Sequence, residues 1–343
     1  MSPKAVKVAI VQAAPVLVDQ RATVEKTVHL IKEAAAGGAK LILFPEAFIT
    51  GYPRGLSFGA VVGSRTAEGR DLFREYWDAA VDVPGPVTDA IGAAARAADA
   101  FVAVGVIERD TSFSGGSLYC SVVFFGSDGT LLGVHRKLKP TASERLIWSE
   151  GDGSTMPVLS SPAGRVGALI CWENYMPMAR MAMYAQGVQI LLAPTADARD
   201  IWLASIRHVA YEGRCYLLSC NQFVSRSMYP ERWLKLPELS GAGDVITPGR
   251  SAIVNPMGEI IAGPLEGREG MLFADIDLAD IPRGKFDFDV TGHYARPDVF
   301  QLVVNRRPAP AVSWISQAPQ PGAETADSPA VRDVNTEKEA SHA

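Results

Sequence analysis

The chain has 343 residues, 48% of them apolar and 21% charged. That is ordinary globular composition, long enough to bury a core without disulfides or a structural metal. Lys and Arg number 33 against 38 Asp and Glu, a net charge of -5, which leaves no basic footprint and argues against a nucleic-acid binder. No apolar run reaches the roughly 18 residues of a membrane span, and the N-terminus enters a strand rather than a secretory leader. Four scattered cysteines make no disulfide framework, so a cytoplasmic enzyme is expected.

The first predicted strand, residues 6–12, alternates Val6, Val8 and Ile10 with Lys7, Ala9 and Val11. Val24, Thr27, Val28, Ile31 and Ala35 then recur at helical spacing until Gly37-Gly38 stop the helix. Residues 41–44 form a short, wholly apolar strand that runs into Pro45-Glu46 and completes a β-α-β passage. A helix over 87–98 and a strand over 101–107 follow. Strands over 119–125 and 131–135 flank the Asp128-Gly129 turn. Further strands are predicted at 166–171, 188–193 and 216–221, with helices at 178–186 and 202–212 between them. A hairpin through Pro256-Met257-Gly258 and a strand over 271–276 close the pattern. Helices and strands intermix without a compositional break, which predicts one α/β domain over residues 1–306. Beyond it Pro308, Pro310, Pro319, Pro321 and Pro329 punctuate a segment too poor in apolar residues to offset its ordering entropy. Residues 307–343 are expected to be a mostly disordered tail, with Trp314 and Ile315 as its docking candidates.

Four cysteines are the candidate nucleophiles. Cys120, Cys215 and Cys220 fall in apolar strands and read as small core residues, with 215 and 220 on opposite strand faces. Cys171 differs: it ends the Gly167-Ala168-Leu169-Ile170 run and is followed by Trp172-Glu173-Asn174 and a helix. Strand ends are where α/β sheets bind ligands, and a strand-to-helix turn offers free N–H groups to an oxyanion. A cysteine nucleophile needs a base. His208, on the helix after the next strand, is one candidate. Glu46, between Pro45 and Ala47-Phe48, is another, because burial among apolar neighbours raises a carboxyl pKa towards a useful value; a solvated loop glutamate is the alternative. Lys137 lies in His135-Arg136-Lys137-Leu138-Lys139, a cationic run that by itself reads as solvated surface. Glu144 by itself reads as a partner of Arg145.

Together, Phe-Pro-Glu at 44–46, His-Arg-Lys at 135–137 and Cys-Trp-Glu-Asn at 171–174, in that order after the N-terminal strand, resemble the carbon–nitrogen hydrolase (nitrilase) superfamily. The resemblance runs from about Val6 to Asn305. Gly51-Tyr52-Pro53-Arg54-Gly55, Ala193-Pro194-Thr195-Ala196-Asp197 and Gly292-His293-Tyr294-Ala295-Arg296-Pro297-Asp298 are most similar to the nitrilase branch, in particular plant-type and related bacterial nitrilases. The resemblance implies an αββα sandwich that dimerises into αββααββα and builds larger spiral homo-oligomers. It implies Cys171 as nucleophile, Glu46 as base, Lys137 as acid and Glu144 as a second glutamate. Tyr52 and Trp172 become substrate-binding residues, with no metal or other cofactor. The implied reaction converts a small organic nitrile to carboxylic acid and ammonia through a thioimidate and a thioester. An amidase or a nitrile or cyanide hydratase of the same superfamily is the alternative, with a non-catalytic assembly protein behind it. Arylaliphatic nitriles, aliphatic nitriles and β-cyanoalanine all stay open as substrates.

Overall fold

The computed structural model describes residues 5–113, 115–310 and 312–313. The first half runs β1 (Val6–Gln12), α1 (Gln20–Ala36), β2 (Leu41–Leu43), the small hairpin β3–β4 (Ala60–Val61 and Ser64–Arg65), α2 (Ala67–Asp78), β5 (Val81–Asp82), α3 (Pro86–Ala98), β6 (Phe101–Arg109), β7 (Leu118–Phe125) and β8 (Leu131–Arg136). The second half runs β9 (Val158–Ser161), β10 (Gly164–Ala168), α4 (Pro177–Ala185), β11 (Ile190–Thr195), α5 (Asp200–Gly213), β12 (Tyr216–Asn221), β13 (Phe223–Ser225), α6 (Glu231–Leu234), β14 (Val245–Val254), β15 (Ile260–Glu266), β16 (Gly270–Ile276) and α7 (Asp280–Lys285).

Two 7-stranded sheets follow one plan. In the first, β1, β2 and β6 lie side by side and parallel. Antiparallel β16 flanks β1, and β7 and β8 extend the other side. In the second, β10, β11 and β12 are the parallel core, with β9 antiparallel on one flank and β14 on the other.

The strands are apolar on both faces because both faces are covered. Alternation sorts them: Leu41 and Leu43 join the core between the sheets, while Ile42 and Phe44 face outward. Likewise Ile190 and Leu192 point inward, and Leu191 and Ala193 outward. Ile31 and Ala34 of α1 and Ile91 and Ala95 of α3 cover the outside of the first sheet. Met183 of α4 and Ile206 and Val209 of α5 cover the second. The layers are therefore helix, sheet, sheet, helix, the αββα sandwich expected above.

Several boundaries differ from the sequence expectation. β10 stops at Ala168 rather than running to Cys171, because Cys171 adopts a left-handed φ of 52° and opens a short 3-10 turn over Cys171–Tyr175. Cys215 lies just before β12, not inside it, though buried as expected. Helix α2 is an element the sequence expectation leaves out, although Leu72, Phe73, Tyr76 and Trp77 recur at helical spacing and pack into the core. Its start is set by Thr66, whose hydroxyl accepts the Gly69 N–H at 3.0 Å. One compact unit reaches to Pro308. Trp314 and Ile315 lie outside the described residues, and no described helix is long and apolar enough to cross a membrane.

Candidate active site

Three carboxyl-terminal strand exits converge on one point. Glu46 follows β2, Lys137 follows β8 and Cys171 follows β10, the end of α/β sheets at which ligands bind. The loop bearing Glu46 lies flat against β6 because residue 105 is glycine: a Cβ there would sit 2.0 Å from the Pro45 carbonyl oxygen and 2.9 Å from Glu46 Cα. Gln222 Nε2 fixes the same loop by donating to the Glu46 carbonyl at 2.8 Å. Lys137 is held by its N–H to the Cys120 carbonyl and by its carbonyl to the Gly151 N–H, both at 2.8 Å. Left-handed backbone recurs at non-glycine positions here: Cys171 itself, Ala47 beside Glu46, and Ala142 two residues before Glu144. Such conformations cost free energy and survive where the surroundings enforce them.

Lys137 is fully buried and donates to Glu46 Oε1 and Glu144 Oε2, each at 2.7 Å. The Tyr52 hydroxyl donates to Glu144 Oε1 at 2.6 Å, and the Thr141 N–H donates to Oε2 at 2.6 Å. The indole of Trp148 lies 5.7 Å from the ammonium. Cys171 accepts the Thr195 hydroxyl at its sulfur, 3.1 Å away. Oε2 of Glu46 is buried without a hydrogen-bond partner among the described residues, and the Cys171 thiol is a nearby donor that favours its charged form.

Burial raises the Glu46 carboxyl above the ordinary glutamate value; Lys137 opposes the shift and the charge of Glu144 adds to it. Burial also pushes the Cys171 thiol up to about 12, assisted by Glu46 and resisted by Lys137. Burial works against the charge on Lys137, yet Glu46 and the other negative groups around it hold its pKa well above the ordinary lysine value. The resting arrangement is thus a protonated thiol beside a charged ammonium, with Oε2 of Glu46 left without a partner among the described residues.

The site opens into a cleft of about 330 Å³ lined by Tyr52, Glu144, Cys171 and Trp172, with Arg54, Asp197, Arg199 and the apolar Ile246 and Pro248. Trp172 is 39% exposed and is braced from behind: its Nε1 donates to Asp197 at 2.8 Å, and the Arg199 guanidinium lies 4.9 Å from its ring centroid.

All six residues singled out from the sequence meet here. Glu46 is not a solvated loop residue, and Glu144 pairs with Lys137 rather than Arg145. The run at 135–139 is not a uniform surface: His135 and Lys137 are buried, while Lys139 is half-exposed and pairs with Glu150. His208 does not approach Cys171 as a base; it is 65% exposed and pairs with Glu212. Sequence reasoning passed over Thr195, Asp197, Gln222 and the buried pair His135–Glu173. All but Gln222 stood inside the quoted motifs, and the signal of His135 and Glu173 was their place two residues from Lys137 and from Cys171. No group of three metal-ligating side chains is assembled among the described residues.

The model of the carbon-nitrogen hydrolase family matches residues 7–285. A nitrilase of Bradyrhizobium diazoefficiens is 52% identical over 92% of this chain and 96% of its own. A bifunctional nitrilase/nitrile hydratase of Lupinus angustifolius is 50% identical over 91% of this chain and 89% of its own. An aliphatic nitrilase of Sinorhizobium fredii is 51% identical over 89% and 97%. Among solved structures, a carbon-nitrogen hydrolase of Helicobacter pylori superposes with a TM-score of 0.67 over 87% of this chain and 97% of that one, at 21% identity. At that identity the likeness speaks for the fold alone.

Proposed function

Because the chain belongs to the carbon–nitrogen hydrolase family, we propose that it hydrolyses organic nitriles to carboxylic acid and ammonia, with Cys171 as nucleophile. The observation that carries the reading is the buried Lys137, bound at 2.7 Å to both Glu46 and Glu144 beside the left-handed Cys171 turn. Half-identical relatives that are named nitrilases support the choice of substrate class.

With its thiol near 12, Cys171 is not a thiolate at neutral pH, so its proton must leave as the sulfur attacks. Oε2 of Glu46 is free to take it. The C–S bond forms, one nitrile π bond breaks, and the nitrogen acquires the electron pair. An ammonium has three N–H bonds, and Lys137 commits two of them to carboxylates. The third is available to protonate the nitrogen. The product is a thioimidate. The thiol proton passes from Glu46 to Lys137 across their 2.7 Å contact, which restores carboxylate and ammonium. Water then adds to the carbon, with Glu46 taking its proton and delivering it to the nitrogen. The proton of the new hydroxyl follows as the C–N bond breaks, so that ammonia leaves and a thioester remains. A second water releases the acid and returns the proton to sulfur. Glu144 fixes Lys137, and Tyr52 fixes Glu144.

The amide would be released instead if the tetrahedral intermediate expelled sulfur before ammonia, and the plant relative named as bifunctional makes this the second reading. Incubation with arylaliphatic and aliphatic nitriles, with ammonia, acid and amide all quantified, tests both. Absence of ammonia and amide from every nitrile would overturn the proposal.

The same reading takes residues 1–306 as the catalytic domain, with 307–343 appended outside it. It also takes the assembly as a homo-oligomer built on an αββααββα dimer, and the location as cytoplasmic. Light scattering of the active enzyme tests the assembly, and an active monomer would refute it.

A further inference from the structure

Two donors converge on the sulfur of Cys171. One is the Thr195 hydroxyl at 3.1 Å, and the other is the Ala196 N–H. Thr195 ends β11, the parallel neighbour of β10, and is buried together with Cys171. Its hydroxyl is oriented from behind. The oxygen accepts the Asp197 N–H at 2.9 Å, which leaves the hydroxyl proton aimed at the sulfur. Asp197 is itself held by Arg199 and by the Trp172 indole. The sulfur therefore accepts on one side, while its own proton is offered to Glu46 on the other.

A neutral thiol is a weak acceptor, and two donors aimed at one contribute little at rest. Hydrogen bonds to an ionised acceptor are roughly twice as strong. In the reaction above the sulfur turns anionic twice. It does so as it attacks, when its proton leaves for Glu46. It does so again when the C–S bond breaks and the bonding electron pair returns to sulfur, before the proton follows.

The structure assigns Thr195 as a further catalytic residue: its hydroxyl stabilises the Cys171 thiolate as the C–S bond forms and as it breaks. Thr195 keeps its proton throughout and acts as a donor only. Which bonds form rests on the nitrile-hydrolysing reading above. One consequence concerns the product. In the tetrahedral intermediate that carries both nitrogen and sulfur, the Thr195 donor makes sulfur the better leaving group, and sulfur leaving first is the route to amide.

Alkylation of Cys171 by iodoacetamide tests the donor without any nitrile, because the thiolate is the reacting form. Thr195→Val keeps the shape and removes the hydroxyl. Loss of a charge-assisted bond lowers the thiolate fraction, and the higher basicity of the remaining thiolate offsets part of that loss. At pH 8 the rate, read by mass spectrometry on the peptide that holds Cys171, should fall by about threefold to tenfold. Thr195→Ser should recover most of it. A purely structural role predicts the opposite sign, since loosening this turn would expose the sulfur and speed alkylation. An unchanged or faster rate in Thr195→Val, or no recovery in Thr195→Ser, would overturn the assignment. With a nitrile, Thr195→Val should lose about tenfold in kcat with little change in KM, and its amide share should not exceed that of the wild type. A larger amide share in Thr195→Val would refute the leaving-group role. No product from any nitrile in the wild type, with slower alkylation in Thr195→Val, would sink the nitrilase reading and keep Thr195 as the thiolate donor.

Discussion

Glu173 and His135 form an ion pair closed off from solvent, Oε2 to Nε2 at 2.9 Å. The other ring nitrogen, Nδ1, lies 2.6 Å from the Thr155 carbonyl oxygen. A carbonyl can only accept, so Nδ1 carries a proton; Nε2 faces a carboxylate that also accepts the Leu138 and Ile170 N–H groups, so it carries one too. His135 is therefore an imidazolium. Burial opposes that charge, but Glu173 outweighs it and raises the pKa above 6.5.

A raised histidine pKa has a definite sign in stability. The pair stabilises the fold fully below the unfolded-state value of about 6.5, and its contribution is lost as pH rises through the higher folded-state value. The urea midpoint should fall over that interval, and His135→Gln should flatten this part of the profile. A wild-type midpoint that rises through the same range would contradict the imidazolium assignment.

Glu173 also ties the residue after Lys137 to the residue before Cys171, because its two oxygens take the N–H groups of Leu138 and Ile170. Glu173→Gln keeps one acceptor oxygen and leaves a buried N–H unpaired, which costs about 1–3 kcal/mol. Since Glu173 lies behind the reacting atoms, kcat should fall by about tenfold to a hundredfold while KM moves little. Matched losses in kcat and KM, or none in either, would show that this clamp does not set the geometry.

How much of this was legible follows from what each residue must satisfy. The strands were readable because both faces are buried, and the residues that meet at the cleft because three short motifs stood in a fixed order. The charge state of the centre was not. Lys137 sits in a run that reads as solvated surface, and only the folding of Glu46 and Glu144 around it from 91 and 7 residues away makes burial tolerable. Thr195 stood in a quoted motif, but the aim of its hydroxyl at a sulfur 24 residues away is set by the fold, which one-dimensional spacing does not give. Helix α2 was legible but passed over: Leu72, Phe73, Tyr76 and Trp77 recur at helical spacing and face the core.

The nucleophile and its base are separable. Cys171→Ala should lose at least about a thousandfold in kcat with little change in stability. Glu46→Gln should lose as much although the thiol remains, because the amide cannot take its proton. Mass spectrometry of Glu46→Gln with a nitrile should show no covalent adduct. In the wild type, alkylation of Cys171 by iodoacetamide should keep rising from about pH 7 to pH 10 without a plateau, since the thiol titrates near 12. A plateau near neutrality would mean a pre-formed thiolate and a different role for Glu46.

Lys137 balances two buried carboxylates. Lys137→Ala leaves them facing each other and should destabilise the fold by about 3–5 kcal/mol. Lys137→Arg keeps the cation but is bulkier and holds its proton too tightly to give it up near neutral pH. It should therefore be far less destabilising yet almost inactive. Near-normal turnover in Lys137→Arg would remove proton donation by this residue from the mechanism.

The same ammonium decides between nitrile and amide. Two of its three protons are spent on Glu46 and Glu144, which leaves one donor for the substrate. One donor suffices for a linear nitrile, whose only developing charge is on nitrogen. An amide needs stabilisation of an oxyanion and protonation of a leaving amine, at a broader carbon beside Trp172. The matching amide should accordingly be turned over much more slowly than its nitrile. Acid should also appear from the nitrile without a lag, because thioimidate and thioester stay bonded to Cys171. Chromatography of a time course checks both points. A transient free amide that precedes the acid, or faster turnover of the amide than of its nitrile, would transfer the enzyme to the hydratase or amidase reading.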